Sequence, residues 1–300
     1  MSIFGKKIKI VTHDGSFHAD DVFATASLSI LLEKRKQRFE LIRTRNPEII
    51  NAGDFVFDVG GVYDEARNRF DHHQKDFSEK RENGITYSSF GLIWKKFGIE
   101  ICGRDKVADF LDKKLVAPVD AGDNGIDLIS SNHEVVPYLL HNFFYAMHPT
   151  WKETTNDDLV FKKCVELAKT VLLREIKQSE DALSAEESIK NIYNNALDKR
   201  IIALDDNYPF EYFLHNFPEP LFAIYPRKTD GSWGVKAIRE DMKTFKNRKD
   251  FPSAWGGLDK EELQKVSGVD DAIFCHRGLF LAVAQSRAGA IKLAQIAVES

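Results

Sequence analysis

Along the N-terminal part of the chain, short β-branched or continuous apolar runs alternate with polar loops and with stretches of helical spacing. Residues 8–12 (IKIVT) read as a strand, the polar loop HDGSFHAD follows, and DVFATASLSILLEKRKQ carries its apolar positions at helical intervals. FELIRTR predicts a second strand and DFVFDVGG a third, continuous rather than alternating, as suits a parallel strand covered on both faces. YSSFGLIWKKFG and RDKVADFLDKKLVAPVDAG predict further helices. Strands alternating with helices over residues 1 to about 125 imply an α/β fold with a doubly wound parallel sheet. Ligands of such a sheet bind at the carboxyl ends of its strands. This N-terminal domain is expected to span 1–148.

The pattern then changes. FKKCVELAKTVLLREIKQSEDAL and EESIKNIYNNAL are charge-rich and free of Pro and Gly, which predicts a helical connector over 149–199. Beyond it, RIIAL, LFAIYP, WGVKAI, AIFCH and LFLAVA are short strand-like runs set apart by turn residues, and GAIKLAQIAVE closes the chain as a helix. They predict a smaller C-terminal α+β domain over 200–300.

Composition narrows the class. With 300 residues, 43% hydrophobic and 29% charged, the chain can bury a real core and lacks the signature of disorder. A net charge of −4 supplies no overall positive field, so a nucleic-acid partner would need a locally basic groove. Cys102, Cys164 and Cys275 are widely spaced and form no CxxC pair, which argues against a disulfide framework or a thiolate zinc site and for a reducing compartment. With no run of signal-peptide or membrane-span length, the expected location is cytoplasmic, with no membrane partner.

The chemistry concentrates early. Four of the nine histidines fall within the first 73 residues, each near a carboxylate and each at a predicted strand end. His13, Asp14, His18, Asp20 and Asp21 share the first strand-to-helix loop; Asp58 closes the third strand; Asp71, His72 and His73 form a DHH triplet; Asp120 and Asp123 lie in VDAGDNG. In a parallel sheet these loops open at one edge. Imidazole and carboxylate without thiolate favour Mn²⁺, with Mg²⁺, Co²⁺ and Zn²⁺ also compatible. Ligands in excess of one ion's needs point to two divalent ions about 3.5 to 4 Å apart, with Asp58 the candidate bridge. Neighbouring side chains on extended backbone face opposite ways, so one of His72 and His73 is expected to bind metal and the other to reach a substrate oxygen.

Plainer roles compete. A single histidine is usually a satisfied core or surface residue, the reading adopted for His133, His141, His148 and His215. Asp20 or Asp21 alone would be a helix cap, and Asp14 could cap its own loop. Residues 221–250 hold eight Lys or Arg against four acids, which is either a solvated face or a substrate groove.

The blocks THDGSFHADDVFA, DVGGVYD, FDHHQ and VDAGDNG, followed by LFAIYP, GSWGVKAI, KNRKDFPSAWGGL and FCHRG, make the sequence resemble the MYG (melanocyte proliferating gene) family within the DHH phosphoesterase superfamily, nearly end to end. The resemblance implies an N-terminal DHH domain holding two divalent ions, usually manganese, a C-terminal substrate domain, and 3′–5′ exonuclease activity on RNA. Carried over by motif, His13, His18 and Asp58 would hold the first ion. Asp20, Asp58, His72 and either Asp123 or Asp120 would hold the second, and His73 would contact the scissile phosphate. Family members usually carry Asn where Asp14 stands, and a Gly-Gly pair where this chain reads GLFLAVAQS.

The function expected is hydrolysis of a phosphodiester by a metal-activated water, on single-stranded RNA or a short oligonucleotide. Arg248, which offers a bidentate fork, and His276 are expected to hold the strand end. The rivals are a small-molecule phosphohydrolase acting on pyrophosphate or a dinucleotide, and a non-catalytic metal-binding scaffold. A homodimer is the default oligomer, with no residue behind it.

Overall fold

The structure is a computed structural model and describes residues 6–130, 134–242 and 244–300. It contains two compact units, Met1–Glu180 and Asp181–Ser300.

In the first unit the order is β1 (Ile8–Thr12), α1 (Ala19–Lys34), β2 (Phe39–Arg43), α2 (Pro47–Asn51), β3 (Phe55–Phe57), β4 (Tyr63–Asp64) and β5 (Arg69–Phe70). The sheet order is β2-β1-β3-β5-β4. β1 runs parallel to β2 and β3, and β5 runs parallel to β3. Edge strand β4 is antiparallel to β5, so the sheet is mixed rather than wholly parallel. The hairpin that adds this edge escapes a periodicity reading because its strands are two residues long. The chain enters it from β3 through Gly60 and Gly61, whose φ of +96° and +67° side chains rarely adopt, and turns over residues 65–68, with Asn68 at φ +56°.

Helical layers cover the sheet: α3 (Ser89–Cys102), α4 (Asp105–Leu111), a π-helical turn (Asp112–Val116), α5 (Ala117–Asp123), α6 (Leu140–Tyr145) and α7 (Asp157–Asn195). α1 is buried from Ala19 through Leu32, and its Phe23 ring stacks on Phe90 of α3 at 5.3 Å. Each such buried large side chain contributes roughly 1.5–3 kcal/mol. α3 stops at Gly103, a left-handed C-cap with φ +78°. The 149–199 stretch is occupied largely by the single helix α7, within which the division at Glu180 falls.

The second unit contains β6 (Ile201–Ala203), α8 (Glu211–Leu214), β7 (Phe222–Pro226), β8 (Trp233–Ala237), a 3₁₀ turn (Ser253–Trp255), α9 (Lys260–Ser267), β9 (Ala272–Cys275), β10 (Leu281–Ala284) and α10 (Arg287–Glu299). Its sheet order is β6-β7-β8-β10-β9, with β6 parallel to β7 and the other pairs antiparallel. Phe222, Val235, Leu263, Ala282 and Leu293 are fully buried in its core. The two sheets make the chain mixed α/β. Among the described residues, no helix is long and apolar enough to cross a membrane.

Candidate metal centre

The strand order 2-1-3 puts a topological switch point between β1 and β3, so the residues leaving those two strands become neighbours. They are His13 and Asp58. His13 Nε2 lies 3.1 Å from Asp58 Oδ2 and 3.0 Å from Asp21 Oδ2. Asp58 has φ +56°, a strained position for a residue with a side chain, which turns its carboxylate back over the sheet edge.

β5 delivers Asp71, His72 and His73 to the same edge. His73 Nδ1 contacts Asp71 Oδ1 at 2.9 Å and lies 3.5 Å from Asp58 Oδ1. His72 is 7% exposed at its side chain; its Nε2 meets Asp123 Oδ2 at 2.9 Å, and its Nδ1 is 3.2 Å from the Ser89 hydroxyl. His73 is 63% exposed. The two histidines differ in environment, but they do not face opposite ways: their rings lie only 4.3 Å apart, because residues 71–74 are not in a strand and the alternation rule does not apply.

Helix α1 supplies the third group. Asp21 Oδ1 accepts the His18 backbone N–H at 2.9 Å, closing the helix start while its other oxygen faces His13. His18 Nδ1 is 3.9 Å from Asp123 Oδ1. Three sets of ligand-type atoms result: Asp58, Asp71, His72 and His73; His13, Asp21 and Asp58; and His18, Asp20 and Asp123. Asp58 belongs to two of them.

The charges are out of balance. Asp20 is fully buried and no protein donor reaches either of its carboxylate oxygens; its neighbour at hydrogen-bonding range is another carboxyl group, Asp123, which it can meet only by holding a proton. Burial and the carboxylates of Asp58, Asp123 and Asp21 push its pKa well above the usual range. Burial likewise raises Asp21, against the pull of His13. Burial works against a charged His13, but the Asp21 and Asp58 carboxylates override it and raise its pKa to about 9. Asp123 resists burial through His72 and stays below the usual range. The Asp71 contact raises His73. A buried, donor-free carboxylate among other carboxylates and imidazoles is the environment a bound divalent cation would relieve. These clusters could bind metal ions.

Not every sequence candidate joins this edge. Asp120 faces the other way: it is fully buried and accepts from Ser88 Oγ at 2.5 Å, Gly91 N at 3.0 Å and Arg81 Nη1 at 2.6 Å. Of the two VDAGDNG aspartates, the structure therefore brings Asp123 alone into the cluster. Asp14 is exposed and ion-paired with Arg45. In the second unit, Arg248 spends both terminal nitrogens on carbonyls, donating to Phe217 O, Pro220 O and His215 O. His276 Nδ1 accepts from Gly278 N, with Phe280 packed against the ring. In the 221–250 run, Arg227, Lys228, Lys236 and Lys246 are paired with nearby acids. His148 stacks on Phe17 at 3.9 Å, and His215 donates to Glu211 O. His133 lies outside the described residues.

The sequence puts Asp21 in the first-loop cluster but in neither expected ligand set, with a helix cap as the role open to it or to Asp20, and it singles out none of Ser89, Arg43 and Arg45. The doubled aspartate of FHADD and the two arginines at the end of the second strand were the available signals.

The sequence model described as an uncharacterised protein family (UPF0160) matches residues 9–298. The chain is 31% identical over 324 residues to the MYG1 exonuclease of Bos taurus, covering 96% of this chain and 84% of that one. It is 29% identical over 322 residues to the MYG1 exonuclease of Homo sapiens, covering 96% and 85%. A MYG1 protein of Chlamydia pneumoniae is 32% identical over 290 residues, covering 93% and 92%. Because the matched span takes in both sheets and every member of the histidine–aspartate clusters, the chain belongs to the MYG1 family.

Proposed function

We propose that this protein is a metal-dependent phosphodiester hydrolase of the nuclease type, acting on RNA or short oligonucleotides from the 3′ end. The observation that carries the reading is the buried Asp20 carboxylate, without a donor, beside histidine–aspartate groups joined through Asp58. Relatives bearing the name exonuclease support the class of reaction. His13, His18, Asp20, Asp21, Asp58, His72 and Asp123 would hold two divalent ions, Mn²⁺ by the oxygen and nitrogen character of the set. When bound, the ions supply Lewis acidity, which acidifies water and offsets charge developing on the phosphate.

The chain's own groups do the rest. Asp58 is fixed by its strand terminus and has two oxygens, one toward His13 and one toward His72 and His73. Asp71 occupies His73 Nδ1 and is itself held by the Gly61 N–H at 2.6 Å. This leaves the exposed His73 Nε2 to donate to a phosphate oxygen. Ser89 fixes the buried His72 by bonding Phe70 O and facing His72 Nδ1. The C-terminal unit is proposed to bind the rest of the substrate, with His276 as its contact.

A second reading, hydrolysis of a dinucleotide or pyrophosphate, is favoured by the local pairing of the basic 221–250 run and by the engagement of Arg248 with carbonyls. Comparing Mn²⁺-loaded protein on a labelled 12-mer RNA, a dinucleotide and pyrophosphate separates the two. Stepwise shortening of the 12-mer supports the first. Turnover confined to the small substrates supports the second. Full metal content with no turnover of any would leave a scaffold.

A further inference from the structure

Just after β2 the chain reads Arg43-Thr44-Arg45, and its two arginines have opposite surroundings. The Arg43 side chain is 2% exposed. Its Nε donates to His13 O at 3.2 Å, Nη2 to Gly15 O, and Nη1 to Asp158 Oδ1 at 2.8 Å, while the guanidinium lies 4.6 Å from the Phe161 ring centre. Arg43 is thus committed to holding the backbone of the 13–15 loop.

Arg45 is 65% exposed. It lines a cleft of about 440 Å³ together with His13, His18, Asp58 and His73. Among the described residues it is the one Lys or Arg in that lining. Its ionic partner is Asp14, at 3.4 Å from Nε to Oδ1, and Asp14 is itself 51% exposed. So open and long a pair contributes little to stability, so the fold does not depend on it. Gly15 leaves space bare beside the guanidinium, where a Cβ would come within 3.2 Å of Arg45 Nη2.

We propose that Arg45 is the cleft's receptor for a non-bridging phosphate oxygen, and that Asp14 is a displaceable counter-ion holding the guanidinium at the cleft until phosphate replaces it. The proposal rests on the phosphodiesterase reading of the site. A guanidinium presents a planar fork that binds phosphate oxygens two at a time, which a single 3.4 Å carboxylate contact does not match. Among the imidazoles of the cleft, His13 faces Asp21 and Asp58 and His73 has its Nδ1 on Asp71, which leaves His73 only Nε2 for a phosphate oxygen; a two-point grip on phosphate falls to the Arg45 fork. By clamping the carbonyls on either side of Asp14, Arg43 keeps that counter-ion in place without occupying the cleft.

The test compares wild type, Arg45→Ala, Arg45→Lys and Asp14→Asn, all Mn²⁺-loaded, on bis(p-nitrophenyl) phosphate. Metal content is measured by mass spectrometry. In parallel, phenylglyoxal modification of Arg45 is mapped with and without inorganic phosphate. Loss of a charge-assisted bond should raise KM roughly tenfold to a hundredfold in Arg45→Ala, with metal content unchanged. Arg45→Lys should recover part of the loss, keeping the charge without the fork. Asp14→Asn should lower KM about two- to fivefold at low salt, an advantage that salt screens away. Phosphate should protect Arg45 from modification, most strongly in Asp14→Asn. A KM for Arg45→Ala within about twofold of wild type, or modification as fast with phosphate as without, overturns the assignment. If wild type cleaves no phosphodiester, the phosphodiesterase reading falls, and protection by phosphate alone decides whether Arg45 is an anion receptor.

Discussion

Asp120→Ala should loosen the candidate metal centre from behind. The Asp120 carboxylate accepts three donors that have little access to water: the Ser88 hydroxyl, the Gly91 amide and Arg81, whose side chain is 7% exposed. Arg81 would keep its two bonds to Asp112, at 2.9 and 2.7 Å, so it is not wholly stranded. Breaking a buried pair costs about 3–5 kcal/mol, and the retained Asp112 contacts pull the Arg81 part toward the lower figure. The unpaired Ser88 hydroxyl and Gly91 amide add about 1–3 kcal/mol each unless water enters the vacated space. With water satisfying the Ser88 hydroxyl and the Gly91 amide, the net loss is about 3–5 kcal/mol, which corresponds to roughly a hundred- to several-thousandfold faster opening. Hydrogen exchange read by mass spectrometry on peptides covering 86–92 and 117–124 measures that locally, without assuming the two units unfold together. Asp123 lies one turn further along α5, so its aim at His72 should relax and metal content should fall. Gly91→Ala should act alike, since its Cβ would come 1.9 Å from Asp120 Oδ2. Exchange within about threefold of wild type, with full metal content, would refute the reasoning.

Two further outcomes follow from the buried charges. His13, raised to about 9, stabilises the metal-free fold fully below its unfolded value near 6.5 and loses that contribution as pH climbs through 9, up to about 3 kcal/mol. Asp20 and Asp21, raised by burial, also cost stability as pH rises above their unfolded value, so the direction is shared. Melting temperature in EDTA should therefore fall between pH 6.5 and 9, and excess Mn²⁺ should remove or reverse the slope, since ligands must be deprotonated; a flat or rising EDTA curve would contradict this. Asp20→Asn should raise the melting temperature of metal-free protein toward the alkaline end of that range, where the Asp20 carboxyl would be charged without a donor, while lowering Mn²⁺ content. A metal-free variant less stable than wild type would argue that Asp20 has a structural partner.

The strand and helix runs were legible because apolar spacing is local: IKIVT, FELIR and FVF became β1, β2 and β3, and the five strand-like runs of the C-terminal region each contain a strand of the second sheet. The concentration of histidine and aspartate at strand ends was legible for the same reason. The two-residue strands β4 and β5 were not, being shorter than any period. The order of residues along the chain sets which chemical groups stand at which strand ends. How those groups are used follows from packing, because it depends on contacts between residues distant in the chain. Asp120 and Asp123 are three residues apart and alike in sequence, yet the packing of α5 turns one toward Gly91 and the other toward His72. Arg43 and Arg45 are two apart, and the packing around the end of β2 locks one against Phe161 and Asp158 while leaving the other at the cleft.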